Sequence, residues 1–106
     1  MLTQRTAIEK VKSFAQEVKA TGIHLRKVLL YGSYARNKQH EWSDIDIALI
    51  ADEFTGIGFN DADFFASINN KKQYILIEAK TCSTSDFKKG DPFIDKIKKT
   101  GIVVAI

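Results

Sequence analysis

Cysteine is nearly missing from this chain: Cys82 stands alone, so no disulfide can close within it, and the two histidines lie at metal-ligand spacing neither from Cys82 nor from each other. A disulfide scaffold and a Cys/His metal site are therefore excluded, and the expected setting is reducing and cytoplasmic. No apolar run approaches membrane-spanning length. The opening residues, MLTQRTAIEKVKSF, are charged and periodic instead of forming a basic tip followed by an apolar stretch. Neither export nor membrane insertion is expected. Repeats, linkers and low-complexity tracts are missing too, and the one proline is Pro92. Charge of one sign is also scarce: 16 Lys and Arg face 13 Asp and Glu, a net +3 that suits phosphorylated ligands without indicating nucleic acid. The lysines gathered from Lys71 to Lys99 read as the solvated surface of two helices.

What is present, 44% apolar and 27% charged residues over 106 positions, is the composition of one globular domain spanning 1–106. A domain this small has little material for a separate recognition lobe, so specificity is expected to come from a partner. Ala7, Ile8, Val11, Phe14, Ala15 and Val18 recur at helical spacing and predict a helix over Thr3 to Ala20, with Thr6 and Glu9 offering a capping box. RKVLLYG reads as a short buried strand ending at Gly32, SYARNK as a helical turn, and Asp44 to Ala51 as a second strand. Asp61 is placed to cap a short helix through ADFFASINN. Gln73 to Thr81 reads as a third strand, and STSDF as a turn or capped helical turn. DPFIDKIKKTG reads as a helix with proline in its first turn, and IVVAI as a fourth strand. This alternation predicts an α/β or α+β domain: a mixed sheet of about four strands with helices packed on it. Trp42, Phe59, Phe64 and Phe65 read as core or interface, because no basic residues interleave with them.

Within that second strand, SDIDIALI sets two acids in an otherwise buried apolar run. Side chains alternate along a strand, so Asp44 and Asp46 share a face, with Cα atoms roughly 6.5 to 7 Å apart. Two carboxylates at about 4 Å repel by on the order of 4 kcal/mol at an effective dielectric near 20. Protonation of one acid, pairing with Lys or Arg, or a divalent cation each relieves that repulsion. Magnesium takes one or two protein carboxylates and fills its shell with water and ligand phosphates, which makes a nucleoside triphosphate the natural co-ligand. Upstream, Gly32 lets a phosphate approach the backbone, and Ser33 presents a hydroxyl beside free N–H groups at a helix start. Downstream, Glu78 stands among isoleucines in YILIEAK. It reads as a third acid of the cluster, as an ion-pair partner of Lys80, or as an edge residue facing water.

The run LLYGSYARNKQHEWSDIDIALI closely resembles the signature of the DNA polymerase beta-like nucleotidyltransferases: a strand ending in Gly-Ser, a spacer of about ten residues, and a strand opening with Asp-x-Asp. The short chain and its ending resemble the minimal nucleotidyltransferases of prokaryotes. That resemblance implies the nucleotidyltransferase fold, with Gly32 and Ser33 holding the triphosphate. It also implies magnesium on Asp44 and Asp46, and Glu78 as the third acid, ligating metal or taking the proton of the attacking hydroxyl. Arg36 matches an arginine often found in the signature and is a candidate phosphate contact. Asn37 replaces the usual glycine and tolerates the same left-handed backbone. The implied activity is transfer of a nucleoside monophosphate, AMP from ATP in the first instance, to a protein hydroxyl. A further implication is a role as antitoxin to a helical HEPN-type toxin.

Two other readings share these residues. Asp46 with Glu78-Ala79-Lys80 fits the loose Asp…Glu-x-Lys arrangement of magnesium-dependent nucleases but leaves Gly32, Ser33 and the second aspartate unexplained. A non-catalytic domain that neutralises a partner by binding fits as well. In that case GIVVAI offers an edge for another chain, and the same edge would serve a homo-oligomer.

Overall fold

The computed structural model describes residues 2–106. Helix α1 covers Gln4–Ala20 and is closed at its start by Thr3 and Thr6, each side chain accepting from the other residue's backbone N–H, at 3.1 and 2.9 Å. The capping box is thus Thr3/Thr6 and not Thr6/Glu9. The Thr3 hydroxyl reaches the N–H three residues on, which leaves Glu9 within the helix, 3.8 Å from Arg5 in an exposed ion pair. Strand β1 (Leu25–Tyr31) runs directly into a single helical turn, α2 (Gly32–Ala35). Strand β2 occupies Ile45–Ala51, one residue later than the sequence pattern suggested, so Asp44 sits just ahead of the strand.

The segment 58–69 holds α3 (Gly58–Asp61), a 3₁₀ turn (Ala62–Phe64) and α4 (Ala66–Asn69) in place of one short helix. Asp61 ends α3 and caps nothing. Its fully buried carboxylate instead accepts from Thr55 N, Thr55 Oγ1, Gly56 N and Thr81 Oγ1 at 2.5 to 3.0 Å. Four donors converging on one buried acid are worth more than one N-cap bond.

The third strand also begins later than expected. Lys72–Tyr74 form a 3₁₀ turn, and β3 covers Ile77–Ser83. Tyr74 is drawn off the sheet to pack edge-on against Phe14 of α1 at 5.3 Å, while the Asn69 amide donates to the carbonyls of Tyr74 and Ile77, both at 3.1 Å. Buried aromatic area outweighs the strand preference of Tyr and Ile here. Helix α5 (Thr84–Lys89) is capped by Ser83, and α6 (Pro92–Thr100) by Asp91 with Pro92 in its first turn; β4 (Ile102–Val104) closes the sheet.

The sheet order is β3-β2-β1-β4, with β1 antiparallel to both β2 and β4, and β2 parallel to β3. This is the mixed sheet with packed helices that the sequence predicts. Alternation divides its residues between two unequal faces. Val28, Leu30, Ile45, Ile47 and Leu49 meet α1 in the main core, whereas Leu29, Ala48 and Ile50 meet Ile97 of α6 in a thinner layer. Phe65 is buried in the main core, but Trp42 and Phe59 stand on the surface. Among the described residues no helix is long and apolar enough to cross a membrane.

Candidate active site

The thinner face carries the acids. β1 and β2 are antiparallel with Tyr31 opposite Asp46, and β2 and β3 are parallel with Asp46 beside Glu78. Residues in register project to the same side, so Tyr31, Asp46 and Glu78 form a row across three strands at one end of the sheet. Asp44, exposed at the entry to β2, adds a third acid to the same corner. All three carboxyl positions singled out from the sequence are thereby neighbours.

Their electrostatics agree with that placement. Burial and the charge of Asp44 push the Asp46 carboxyl above its ordinary value, against the opposing charges of Lys80 and Arg36. Glu78 is raised by a hydrogen bond shared with Asp44, by partial burial, and by the charges of Asp44 and Asp46. Burial together with Asp46 and Glu78 pushes the Tyr31 phenol up to about 12. Negative potential concentrates at this corner faster than the nearby cations offset it. The alternative ion pair between Glu78 and Lys80 is not formed: the Lys80 ammonium lies over the Phe93 ring, 5.8 Å from its centroid.

Gly32 marks the junction of the acids with α2. Its φ of +74° is left-handed, and a side chain there would collide with the Asp46 carboxylate, whose Cγ lies 3.2 Å from the position a Cβ would take. Only glycine lets the backbone turn and pass the acid at this distance. No side chain caps the first turn of α2, which holds half-buried Ser33 directly after Gly32. The turn itself is anchored by the buried Tyr34 ring and by the Gln4 amide, which donates to the carbonyls of Tyr34 and Ala35 at 2.8 and 3.2 Å. Exposed Arg36 follows, and Asn37 takes φ +54°, the left-handed backbone expected at that position. The chain returns through Ser43, whose hydroxyl accepts from His40 N at 3.0 Å, before Ile45 N donates to Leu76 O at 2.8 Å.

Gly32, Ser33, Arg36, Asp44, Asp46 and Glu78 therefore gather at one end of the sheet. Tyr31 and Lys80 join them. For Lys80 the sequence carried a signal, the two-residue period that sets it on the side of Glu78, whereas Tyr31 comes beside Asp46 through the antiparallel pairing of β1 and β2, which no local pattern encodes. Among the described residues no three His, Cys, Asp or Glu side chains form a ready-made metal cage, and the three acids are neighbours without closing a shell. An all-oxygen donor set whose repulsion Lys80 and Arg36 offset only in part suits a hard divalent cation that completes its coordination with phosphate and water.

A crystal structure from Sulfolobus solfataricus, solved as a candidate nucleotidyltransferase, superposes with a TM-score of 0.67 at 20% identity, covering 94% of this chain and 80% of that one. At that identity it supports the fold. No curated protein matches the chain. The family described as Polymerase beta, Nucleotidyltransferase matches residues 9–105. With its Gly-Ser turn, its Asp-x-Asp strand and a match over nearly its whole length, the chain belongs to that nucleotidyltransferase family.

Proposed function

We propose that this protein transfers a nucleoside monophosphate, AMP from ATP in the first instance, to a hydroxyl on a protein acceptor. The observation that carries the reading is the row Tyr31, Asp46, Glu78, with Gly32 packed so closely on Asp46 that phosphate cradle and acids form one site. Asp44 and Asp46 would hold magnesium, with Glu78 at its edge, and the ion would neutralise charge on the phosphates. The N–H groups of α2, with Ser33 and Arg36, bind and orient the β- and γ-phosphates. Glu78, with its carboxyl already raised, accepts the proton of the attacking hydroxyl. The new bond joins the acceptor oxygen to the α-phosphorus, the bond to the bridging oxygen breaks, and pyrophosphate leaves on the side of Gly32 and Ser33. A helical HEPN-type toxin as acceptor, with this protein its antitoxin, is supported by the resemblance of the signature to minimal nucleotidyltransferases.

The test is incubation with magnesium and each α-labelled triphosphate, with and without the helical partner. Label on protein and release of pyrophosphate are expected. The same assay on Asp44→Asn with Asp46→Asn should lose both. Partner neutralisation that persists without label transfer would instead make the protein a binding module, and cleavage of DNA without nucleotide would make it a nuclease.

A further inference from the structure

Three large apolar side chains stand in water within eight residues of one another: Ile57 and Phe64 are exposed, and Phe59 on α3 is 91% exposed. The turn that carries them is nonetheless fixed. The buried Asp61 carboxylate ties down Thr55 and Gly56 on one side and Thr81 of β3 on the other. Asn60 N and Asp61 N donate to Ile57 O at 2.9 and 3.1 Å, and Ile57 N donates to Thr55 Oγ1 at 3.1 Å. Phe64 leans edge-on against buried Phe54, with 5.8 Å between ring centroids. Leaving a phenyl ring in water forgoes roughly 1.5–3 kcal/mol that burial would give. A rigid turn that holds Phe59 outward therefore marks a surface for contact.

The charges around these side chains select what covers them. From Asp52 to Asn70 the chain carries four acids and no lysine or arginine. Asp52 and Glu53 are paired with Arg26 and His24, and Asp61 is buried. That leaves Asp63, exposed beside Phe64. Asp86 of α5 joins it, with a carboxylate oxygen 3.9 Å from the position a Cβ on Gly56 would take. Among the described residues neither Asp63 nor Asp86 has a Lys or Arg within ion-pair distance, and Lys88 and Lys89 limit the acidic surface where α5 ends. Acids so placed repel anionic lipid and nucleic acid. A second copy docked about a two-fold axis would set the same acids against themselves. Because α3 packs against β3 and Thr81 is bonded to Asp61, side chains and not a strand edge meet the partner.

We infer that the turn from Thr55 to Phe64 is a docking surface for a basic amphipathic helix of a partner protein. The apolar stripe of that helix covers Ile57, Phe59 and Phe64, and its lysines or arginines face Asp63 and Asp86. The turn follows the far end of β2, where Ala51 lies about 17 Å from Asp46 at about 3.3 Å per residue. A helix bound there leaves the acids open, and its binding does not depend on whether they carry out transfer.

The probe is a synthetic leucine–lysine helix of about 18 residues, compared by calorimetry on the full chain with a leucine–glutamate helix of the same pattern. The lysine helix should bind about tenfold tighter or better, and the difference should shrink in high salt. Ile57→Ser with Phe59→Ser should weaken it by about tenfold with little change in melting temperature, because neither side chain is buried. Asp63→Asn with Asp86→Asn should weaken it severalfold. Ile75→Ser, also exposed but outside the turn, should leave it unchanged. Lysine-helix affinity that survives Ile57→Ser with Phe59→Ser, or that falls as far with Ile75→Ser, would overturn the docking surface. So would equal affinity for the glutamate helix, Phe59-dependent binding of phosphatidylserine vesicles, or a Phe59-dependent dimer in sedimentation that excludes the lysine helix.

Discussion

The Asp46 carboxylate occupies the space that a side chain on Gly32 would need. Gly32→Ala therefore meets two penalties, a left-handed backbone worth roughly 1–2 kcal/mol for a residue with a Cβ and a collision with the acid. We expect lower thermal stability and loss of triphosphate binding together. A Gly32→Ala variant that keeps wild-type melting and wild-type binding would show that the close approach does not matter.

On the proposed mechanism, substitution of Glu78 should separate binding from transfer. Glu78→Gln keeps the shape and removes the proton acceptor, so turnover should fall by about 10²- to 10⁴-fold while nucleotide affinity changes little. Asp46→Asn should abolish transfer and raise the melting temperature, because it removes a charge that burial and Asp44 disfavour. Calorimetry beside label transfer distinguishes the two, and an Asp46→Asn protein less stable than wild type would refute the repulsion argument.

Much of this arrangement is legible in the sequence alone. The helical period of α1, Pro92 opening α6 and Gly-Ser followed by Asp-x-Asp are local signals, and each depends on neighbours a few residues away. Glu78 stands out as a lone acid among isoleucines, but its place beside Asp46 follows from a parallel pairing that no local pattern encodes. Two of the misread segments share one cause. Asp61 and Tyr74 answer to distant partners, Thr81 in one case and Phe14 in the other, and those contacts override the cap and strand preferences that short windows report.

Acid should act on the fold in two opposed ways. Arg26 and Thr84 hold Asp52 well below the usual carboxylate range, and His24 holds Glu53 down. Burial would push Asp61 up, but Thr81, Thr55 and Gly56 outweigh it and keep it low. These folded-state values lie below the unfolded ones, so the stability they contribute is present above roughly pH 4 and is lost as pH falls further. Asp46 and Glu78 are raised, so their contribution has the opposite sign: it is present below the unfolded carboxylate range and fades as pH rises through their folded values. Melting temperature followed from pH 8 to 3 should rise slightly into mild acid and then collapse. The rise should vanish in Asp46→Asn combined with Glu78→Gln, and its persistence there would contradict the assignment.

Asp61→Ala strips four hydrogen bonds from a buried corner and leaves Thr55, Gly56 and Thr81 donors without an acceptor. A loss on the order of 2–4 kcal/mol is expected in denaturant unfolding. Thr81→Val removes one donor of the four and should cost about 1 kcal/mol, and equal losses for the two variants would contradict the shared network.

The connection from Arg36 to Ser43 binds the two halves of the site in sequence but does not measure the gap between them, because Tyr31 facing Asp46 does that through the ladder. Its length is then free to drift. Extra residues spliced in after Asn37 would lengthen a tether and leave cradle and acids in place, so distant kin with longer spacers should keep the same geometry while escaping any search that insists on ten.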